Sequence, residues 1–380
     1  MSELRVDTIN EATTDTGTTI SKLTNPNQPF RNLLINGDMK IAQRATSTSS
    51  ITGNGYHTVD RMNSIISSQG TWTQSQSTTV PTGQGFTKSL KMDCTTADAS
   101  PAASDILRIQ QAIEGHNLQH LKYGTSSAES TTLSFWVRSN KTGTYVIQLL
   151  NGAVSRQVGK TYTISSADTW EKKTITFPGD TSTALDNDNS AELYVQFCLG
   201  TGSNRSSGTL SSTWKSFVSA DQFAGQTVNL ADSTSNEWYI TGIQLEVGEI
   251  ATDFEHLPHD VQLRRCFRYF QTLAMTTNSI KVGAATSTSV AQIDFEYPNG
   301  EMSDTPAVAI PTAGNSSGTT SFLTAVGGYP STVGSHAVAQ ISVHFCRLTA
   351  TSMSANFISG YSAMYYSNGT NEFTFDAELL

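Results

Sequence analysis

The side chains best placed to do chemistry here are aromatic rings and amides, not nucleophiles or facing acids. In the run LSFWVRS, strand alternation sends Leu133, Phe135 and Val137 to one face and Ser134, Trp136 and Arg138 to the other. An outward indole beside an outward guanidinium suits the C–H face of a sugar, with polar groups near to orient hydroxyls. It equally suits a structural contact under another chain or loop, and both readings stay open. A second aromatic group, Tyr361, Tyr365 and Tyr366, flanks a Ser-Asn-Gly-Thr turn that includes Asn368. Tyr with Ser, Gly and Asn is the composition of adaptable recognition loops, and also of ordinary hairpins. Trp72, Trp170, Trp214 and Trp238 lie near strand ends, and Trp170 and Trp238 read as core.

Hydrolytic chemistry is poorly supplied. Glycoside cleavage takes two carboxylates across a cleft, yet acids are sparse and sit mostly in turns. The densest cluster, DNDNSAE, offers Asp186, Asp188 and Glu192 as oxygen ligands for Ca²⁺. It lacks the glycine turn and distal glutamate of a full calcium loop and reads first as a solvated turn. His116 and His120 are four apart, His256 and His259 three apart, and His336 and His344 share strand parity. None has an evident third ligand of the kind zinc needs, though three copies of one His on a trimer axis could hold an ion. No phosphate loop occurs, and the one GxSxG match, GNSSG at 314–318, sits in a Gly/Ser/Asn loop without the strand-to-helix context of a nucleophile turn. No catalytic residue and no cofactor are expected.

The composition fits strands. Of 380 residues, 47 are Ser and 53 Thr, while Lys, Arg, Asp and Glu together reach only 14%. Such a chain is poor in helix formers and rich in residues that sit well on a pleated surface. Hydrophobic residues make up 37%, enough for cores. The net charge of −9, without a basic stripe, argues against nucleic acid as a partner. With no run of 18 apolar residues, membrane insertion through a helix is not expected. Cys94, Cys198, Cys266 and Cys346 lie far apart in apolar runs and read as small buried hydrophobes.

Four segments follow. Residues 1–29 form a polar leader with apolar points at Leu4, Val6, Ile9, Ile20 and Leu23, ending in NPNQPF. Residues 30–256 read as many short strands separated by turn clusters such as NKTG and PGDTS, opening with NLLINGDMKIAQR and closing with EWYITGIQLEV. That spacing predicts a β-sandwich or jelly roll. Residues 257–270 predict one short helix, with Pro258 at its start, Asp260 in its first turn and Arg264, Arg265 and Arg268 in its last. Residues 271–380 return to strands and predict a smaller β domain.

The ordered motifs NLLINGDMKIAQR, HTVDRM, SFWVRSNKTGTY, DTWEKKTITFPGDTS and WYITGIQLEVGEIATDFEHLPHDVQLRRCFRYF resemble bacteriophage tail fibres and related adhesins with a carbohydrate-binding-module-like jelly roll. The leader RVDTINEATTDTGTTI resembles that of fibres from aquatic phages, especially cyanophages. The resemblance implies a non-enzymatic, homotrimeric fibre, made in the bacterial cytoplasm and carried on the virion tail. Leu4, Val6, Ile9 and Ile20 would anchor it to a tail, nozzle or baseplate protein. A distal β tip domain would meet a host glycan or receptor, through Tyr361, Tyr365, Tyr366 and Asn368 or through Trp136 and Arg138. A head or collar decoration fibre is the alternative, and a polysaccharide-degrading tailspike a further one. Modules of this shape often hold a structural Ca²⁺ near the first Asn-Gly. Here Asp38 is followed by Lys40, and the last strand lacks paired aspartates, so the metal ligands are incomplete.

Overall fold

The computed structural model describes residues 30–153, 155–275, 280–286, 290–309, 320–324, 330–331, 335–351, 362–367 and 371–379. It is nearly all β. The first part of the chain supplies β1 (Ser47–Ile51), β2 (Gly55–Tyr56), β3 (Asn63–Ser67), β4 (Thr71–Ser77), β5 (Ser89–Thr96), β6 (Ile106–Glu114), β7 (Thr131–Ser139), β8 (Gly143–Asn151), β9 (Arg156–Ile164), β10 (Glu171–Phe177), β11 (Ala191–Thr201), β12 (Lys215–Ser216) and β13 (Glu237–Val247). They form two antiparallel sheets that pack as a jelly-roll-like sandwich. Sheet A runs β1-β4-β5-β13-β7-β10, and sheet B runs β12-β9-β8-β11-β6-β3-β2.

Period-two alternation builds the core. Leu133, Phe135 and Val137 of β7 point between the sheets and are fully buried, as are Trp72 and Trp238. Phe135 meets Tyr162 and Phe197 edge-on at 5.2 and 5.3 Å, a geometry in which the positive ring edge faces a negative ring face. Buried hydroxyls on the other face of sheet A are received by backbone carbonyls. Thr132 donates to the Gly248 carbonyl at 2.7 Å and Thr241 to that of Lys88 at 2.7 Å. All four cysteines are free and buried.

The opening segment departs from its reading as a strand. Residues 32–44 are irregular, because two asparagine side chains take over the role of a ladder. Asn32 donates to the Ile243 carbonyl and accepts from the Leu34 and Leu245 amides. Asn36, at φ 60°, accepts from the Ile41 amide and donates to the carbonyls of Ile41 and Asp60. Such local bonds compete with strand pairing and tolerate left-handed backbone.

Helix α1 (His259–Phe267) follows, with Asp260 in its first turn and Arg264 and Arg265 in its last. The remaining strands are β14 (Phe270–Met275), β15 (Ile280–Ala285), β16 (Ala291–Glu296), β17 (Ala307–Ala309), β18 (Thr320–Thr324), β19 (Pro330–Ser331), β20 (Ser335–Ile341), β21 (Phe345–Thr351), β22 (Ser362–Ser367) and β23 (Asn371–Asp376). They form a three-stranded sheet, β14-β23-β17, and a sheet ordered β19-β18-β22-β15-β16-β21-β20. The chain end after β23 returns to the sandwich. Leu379 joins Ile35, Ile41, Ala112, Cys266 and Tyr269 in one apolar cluster. Beside it, Glu378 pairs with Arg61 and Arg44, and the two guanidinium groups lie 3.4 Å over Tyr269 and 3.7 Å over Phe270.

Candidate functional site

The two outer faces of the sandwich differ. On sheet B, a row of glutamines crosses the strands: Gln157 on β9, Gln148 on β8, Gln196 on β11 and Gln110 on β6. Gln148 donates to Gln157 at 2.8 Å, Gln196 to Gln110 at 3.0 Å and Gln222 to Gln196 at 3.2 Å. All five are buried, and the segment containing Gln222 also packs Phe223 against Val146 and Cys198. This face is covered by the protein's own chain.

Sheet A presents a row set by register: Lys172 on β10 opposite Trp136 on β7, and Trp136 opposite Thr241 on β13. Between Thr241 and Gln244 the pairing shifts, as at a β-bulge. Gly242 lies in this bulge at φ 64°, and a Cβ there would come 2.5 Å from Phe86 Cζ. Only glycine suits that backbone and that approach. The Phe86 ring therefore rests directly on the sheet, where it meets Phe254 at 5.1 Å and His256 at 5.3 Å.

The strap bearing Phe254 and His256 is tied down by outward polar groups of β13. Glu246 accepts from the Thr252 amide and hydroxyl at 2.8 and 2.7 Å, and Gln244 accepts from the Glu255 amide at 2.8 Å. Arg31 adds a bond to the Asp253 carbonyl at 2.6 Å. Strap, bulge and sheet together enclose a cleft of about 230 Å³, with Trp136 and Ser134 on its floor and Phe86, Phe254 and His256 along one wall. Gln84, Lys172 and Asp253 complete it. Burial holds His256 below the usual imidazole range; nearby Lys40 adds to this and Asp38 opposes it. An indole floor, a phenyl wall and a rim of amide, ammonium and carboxylate can stack a flat apolar ligand face and bond its edge.

The expected site residues separate. Trp136 is half-buried and in the cleft. Arg138 lies one row away and is engaged: Nε and Nη2 donate to the Asp168 carbonyl and carboxylate, both at 2.9 Å, and the group sits 4.9 Å over Tyr239. Tyr365 and Tyr366 belong to strand β22, paired with Lys281 and Ile280, and their side chains lie outside the described residues. Tyr361, Asn368, Leu4, Val6, Ile9 and Ile20 lie outside them too. Of the core tryptophans, Trp238 is fully buried, while Trp170 is half-buried, with its ring 6.2 Å from Tyr239.

The metal candidates do not assemble. Asp188 accepts from the Ser190 amide at 2.8 Å, and Glu192 accepts from the Asp186 amide at 3.2 Å. Among the described residues, no three His, Cys, Asp or Glu side chains gather as a metal site. At Asp38, which is fully buried, the Lys40 ammonium lies 2.9 Å from Oδ2 and supplies the positive charge. Neither Asp38 carboxylate oxygen has a hydrogen-bond partner among the described residues, so the lysine ammonium is the charge beside it.

Phe86, Phe254 and Lys172 were not singled out in the sequence. A phenylalanine closing the polar loop TGQGF is the one local signal; the placement of Lys172 needs the β7–β10 register.

No protein-family model matches this chain, and no curated protein matches it. Among solved structures, it is similar to the enzymatically active domain of tailspike protein 4 of bacteriophage CBA120, at 12% identity over 58% of this chain, with a TM-score of 0.31. The chain spans only 22% of that tailspike. A putative sugar binding protein from Bacteroides thetaiotaomicron is similar at 11% identity, over 57% of this chain and 99% of that one, with a TM-score of 0.32. A family 11 carbohydrate-binding module from Clostridium thermocellum is similar at 10% identity, over 58% and 95%, with a TM-score of 0.24.

Proposed function

We propose that this chain is a non-enzymatic, glycan-binding adhesin of the phage tail-fibre type, and that the Trp136 cleft holds the sugar. The observation that carries the reading is the cleft itself: a half-buried indole on the floor and a Phe86–Phe254 wall within 5.1 Å of each other, with an amide, an ammonium and a carboxylate at hand. Binding rather than cleavage is the reading because Asp253 is the one carboxylate of that cleft, where glycoside hydrolysis takes two. One site of this size binds weakly, and three copies on a trimeric fibre would combine by avidity.

The test replaces Trp136 with Ala and measures retention on host surface polysaccharide. Loss of a stacked ring costs on the order of 1 kcal/mol beyond its area. The expected result is retention cut several-fold per chain, with the circular dichroism and melting temperature of the wild type. Unchanged retention refutes the cleft, and shorter polysaccharide chains after incubation would mark an enzyme. The fibre part of the reading rests on the ordered motifs and the leader. It expects a homotrimer in sedimentation, and particles that fail to incorporate a chain lacking residues 1–29. A stable monomer at micromolar concentration overturns the first expectation, and normal incorporation the second. Fibres imaged on heads rather than tails would favour a decoration role.

A further inference from the structure

We propose a second ligand site, a carboxylate pocket for an acidic sugar, where the sandwich meets helix α1. A cavity of about 330 Å³ opens there, lined by Glu114, His116 and Asn117 from the end of β6 and by Arg265, Arg268 and Tyr269 from the helix side. Ile35 adds an apolar patch.

The charges in this pocket are unequally matched. Arg268 is engaged by Glu114: Nε donates to both Glu114 carboxylate oxygens at 2.9 and 3.1 Å, and Nη2 donates to Glu114 at 3.0 Å and to Asn189 at 3.2 Å. His116 Nδ1 is bonded to Asn187 at 2.8 Å. Arg265 is different. Its hydrogen bond is a long one, 3.4 Å from Nη2 to the Asn32 carbonyl, and among the described residues no carboxylate pairs with it. Burial holds its guanidinium below the usual range, with Tyr269, Cys266 and Glu255 opposing. A partly desolvated guanidinium with no carboxylate in direct contact is costly, and a carboxylate seated on its planar fork offsets that cost with two parallel bonds.

The rest of the pocket selects the skeleton. Asn117 and His116 offer donors and acceptors for hydroxyls, while Ile35 and Tyr269, both buried, contribute only their edges to the pocket wall. The volume lies at the low end of the roughly 300–1,000 Å³ of small-molecule sites, which suits one sugar ring rather than an extended chain. With one spare guanidinium and the Glu114 carboxylate close by, a monoanion is matched and a phosphate dianion is not. The site shares no residue with the Trp136 cleft, so the two readings stand or fall separately.

The experiment titrates the full chain with glucuronate, glucose, acetate and inorganic phosphate, observed by ligand NMR. Saturable glucuronate binding is expected, with glucose, acetate and phosphate each at least tenfold weaker. Arg265→Gln should weaken glucuronate at least tenfold, Arg265→Lys several-fold, and Trp136→Ala not at all. No saturable glucuronate binding to the wild type overturns the proposal. So does phosphate binding as tightly as glucuronate, or loss of glucuronate in Trp136→Ala. Where Arg265→Gln does not fold, Arg265→Lys decides, and wild-type affinity in that variant overturns the fork.

Discussion

The buried pair that ties the chain end to the sandwich supports a quantitative test. Arg61 and Glu378 are 1% and 2% exposed at the side chain, and Arg44 approaches the other Glu378 oxygen at 3.3 Å. Arg61 Nη2 donates to the Ala112 carbonyl at 2.7 Å, while its face covers Tyr269. Replacing Glu378 with Gln keeps the shape and removes the charge. Arg61 is then left as a buried cation with no full counter-charge, a change that typically costs about 3–5 kcal/mol. At roughly 2–4 °C per kcal/mol for a unit of this size, the melting temperature should fall by about 6–20 °C. Fluorescence of the buried Trp72 and Trp238 follows the sandwich directly. The double variant Arg61→Met with Glu378→Leu should recover much of the loss, because an apolar pair avoids the desolvation cost. Arg44 retains Asp376 at 2.9 Å in that background. A melting temperature within about 1 °C of wild type in Glu378→Gln, or losses that simply add in the double variant, would refute the argument.

Gly242→Ala should lower stability by about 1–2 kcal/mol, from left-handed backbone and the 2.5 Å approach to Phe86, and should weaken glycan retention as the wall shifts; urea unfolding checks the first part. Glu192 is buried, and burial raises its carboxyl above the usual carboxylate range. Its contribution is therefore present below its unfolded pKa, about 4.3, and is lost as pH rises through the folded value. Glu192→Gln should accordingly match wild type near pH 4 and gain on it toward pH 7 in melting scans, and a gain at pH 4 alone would contradict the sign. Trp72→Ala should cost about 3–5 kcal/mol, as a fully buried indole, and should abolish a folded sandwich at 37 °C where the margin is small.

Strand content was legible because alternation is local. The inward set Leu133, Phe135 and Val137 follows from three letters and a period of two. The helix at His259–Phe267 was legible from its end residues. The opening segment was not, since apolar NLLI reads as a strand until Asn32 is seen bonding to a strand more than two hundred residues away in sequence and Asn36 to its own neighbourhood at Ile41 and Asp60. The outward side of Trp136 was legible, and its company was not. Arg138 looked like a partner by parity, but the row spacing gives it to Asp168 and Tyr239. Lys172 and Phe254 reach the indole through pairing register and strap placement, which no local pattern encodes.

The asymmetry of the two sheet faces explains why the cleft forms where it does. Sheet B carries the longer polar row, yet its glutamines bond to one another and to Gln222, with Gln148 Oε1 alone left over among the described residues of that row, and the covering segment adds the buried Phe223. Uncovering that face would expose Phe223 and break the bonds from Gln222 to Gln196 and from Gln157 to the Val218 carbonyl, each worth about 1 kcal/mol net and more if left unmade. Sheet A carries its polar groups differently. Gln244 and Glu246 are spent on holding the 252–256 strap, and the bulge at Gly242 seats Phe86 beside it. The same residues that anchor the strap thus raise a wall next to Trp136 without covering its ring. A ligand binding there displaces water rather than protein, and its binding energy is not drawn down by opening a lid. That difference favours the shorter row with fewer amides as the recognition face, against what a count of polar groups per sheet would suggest.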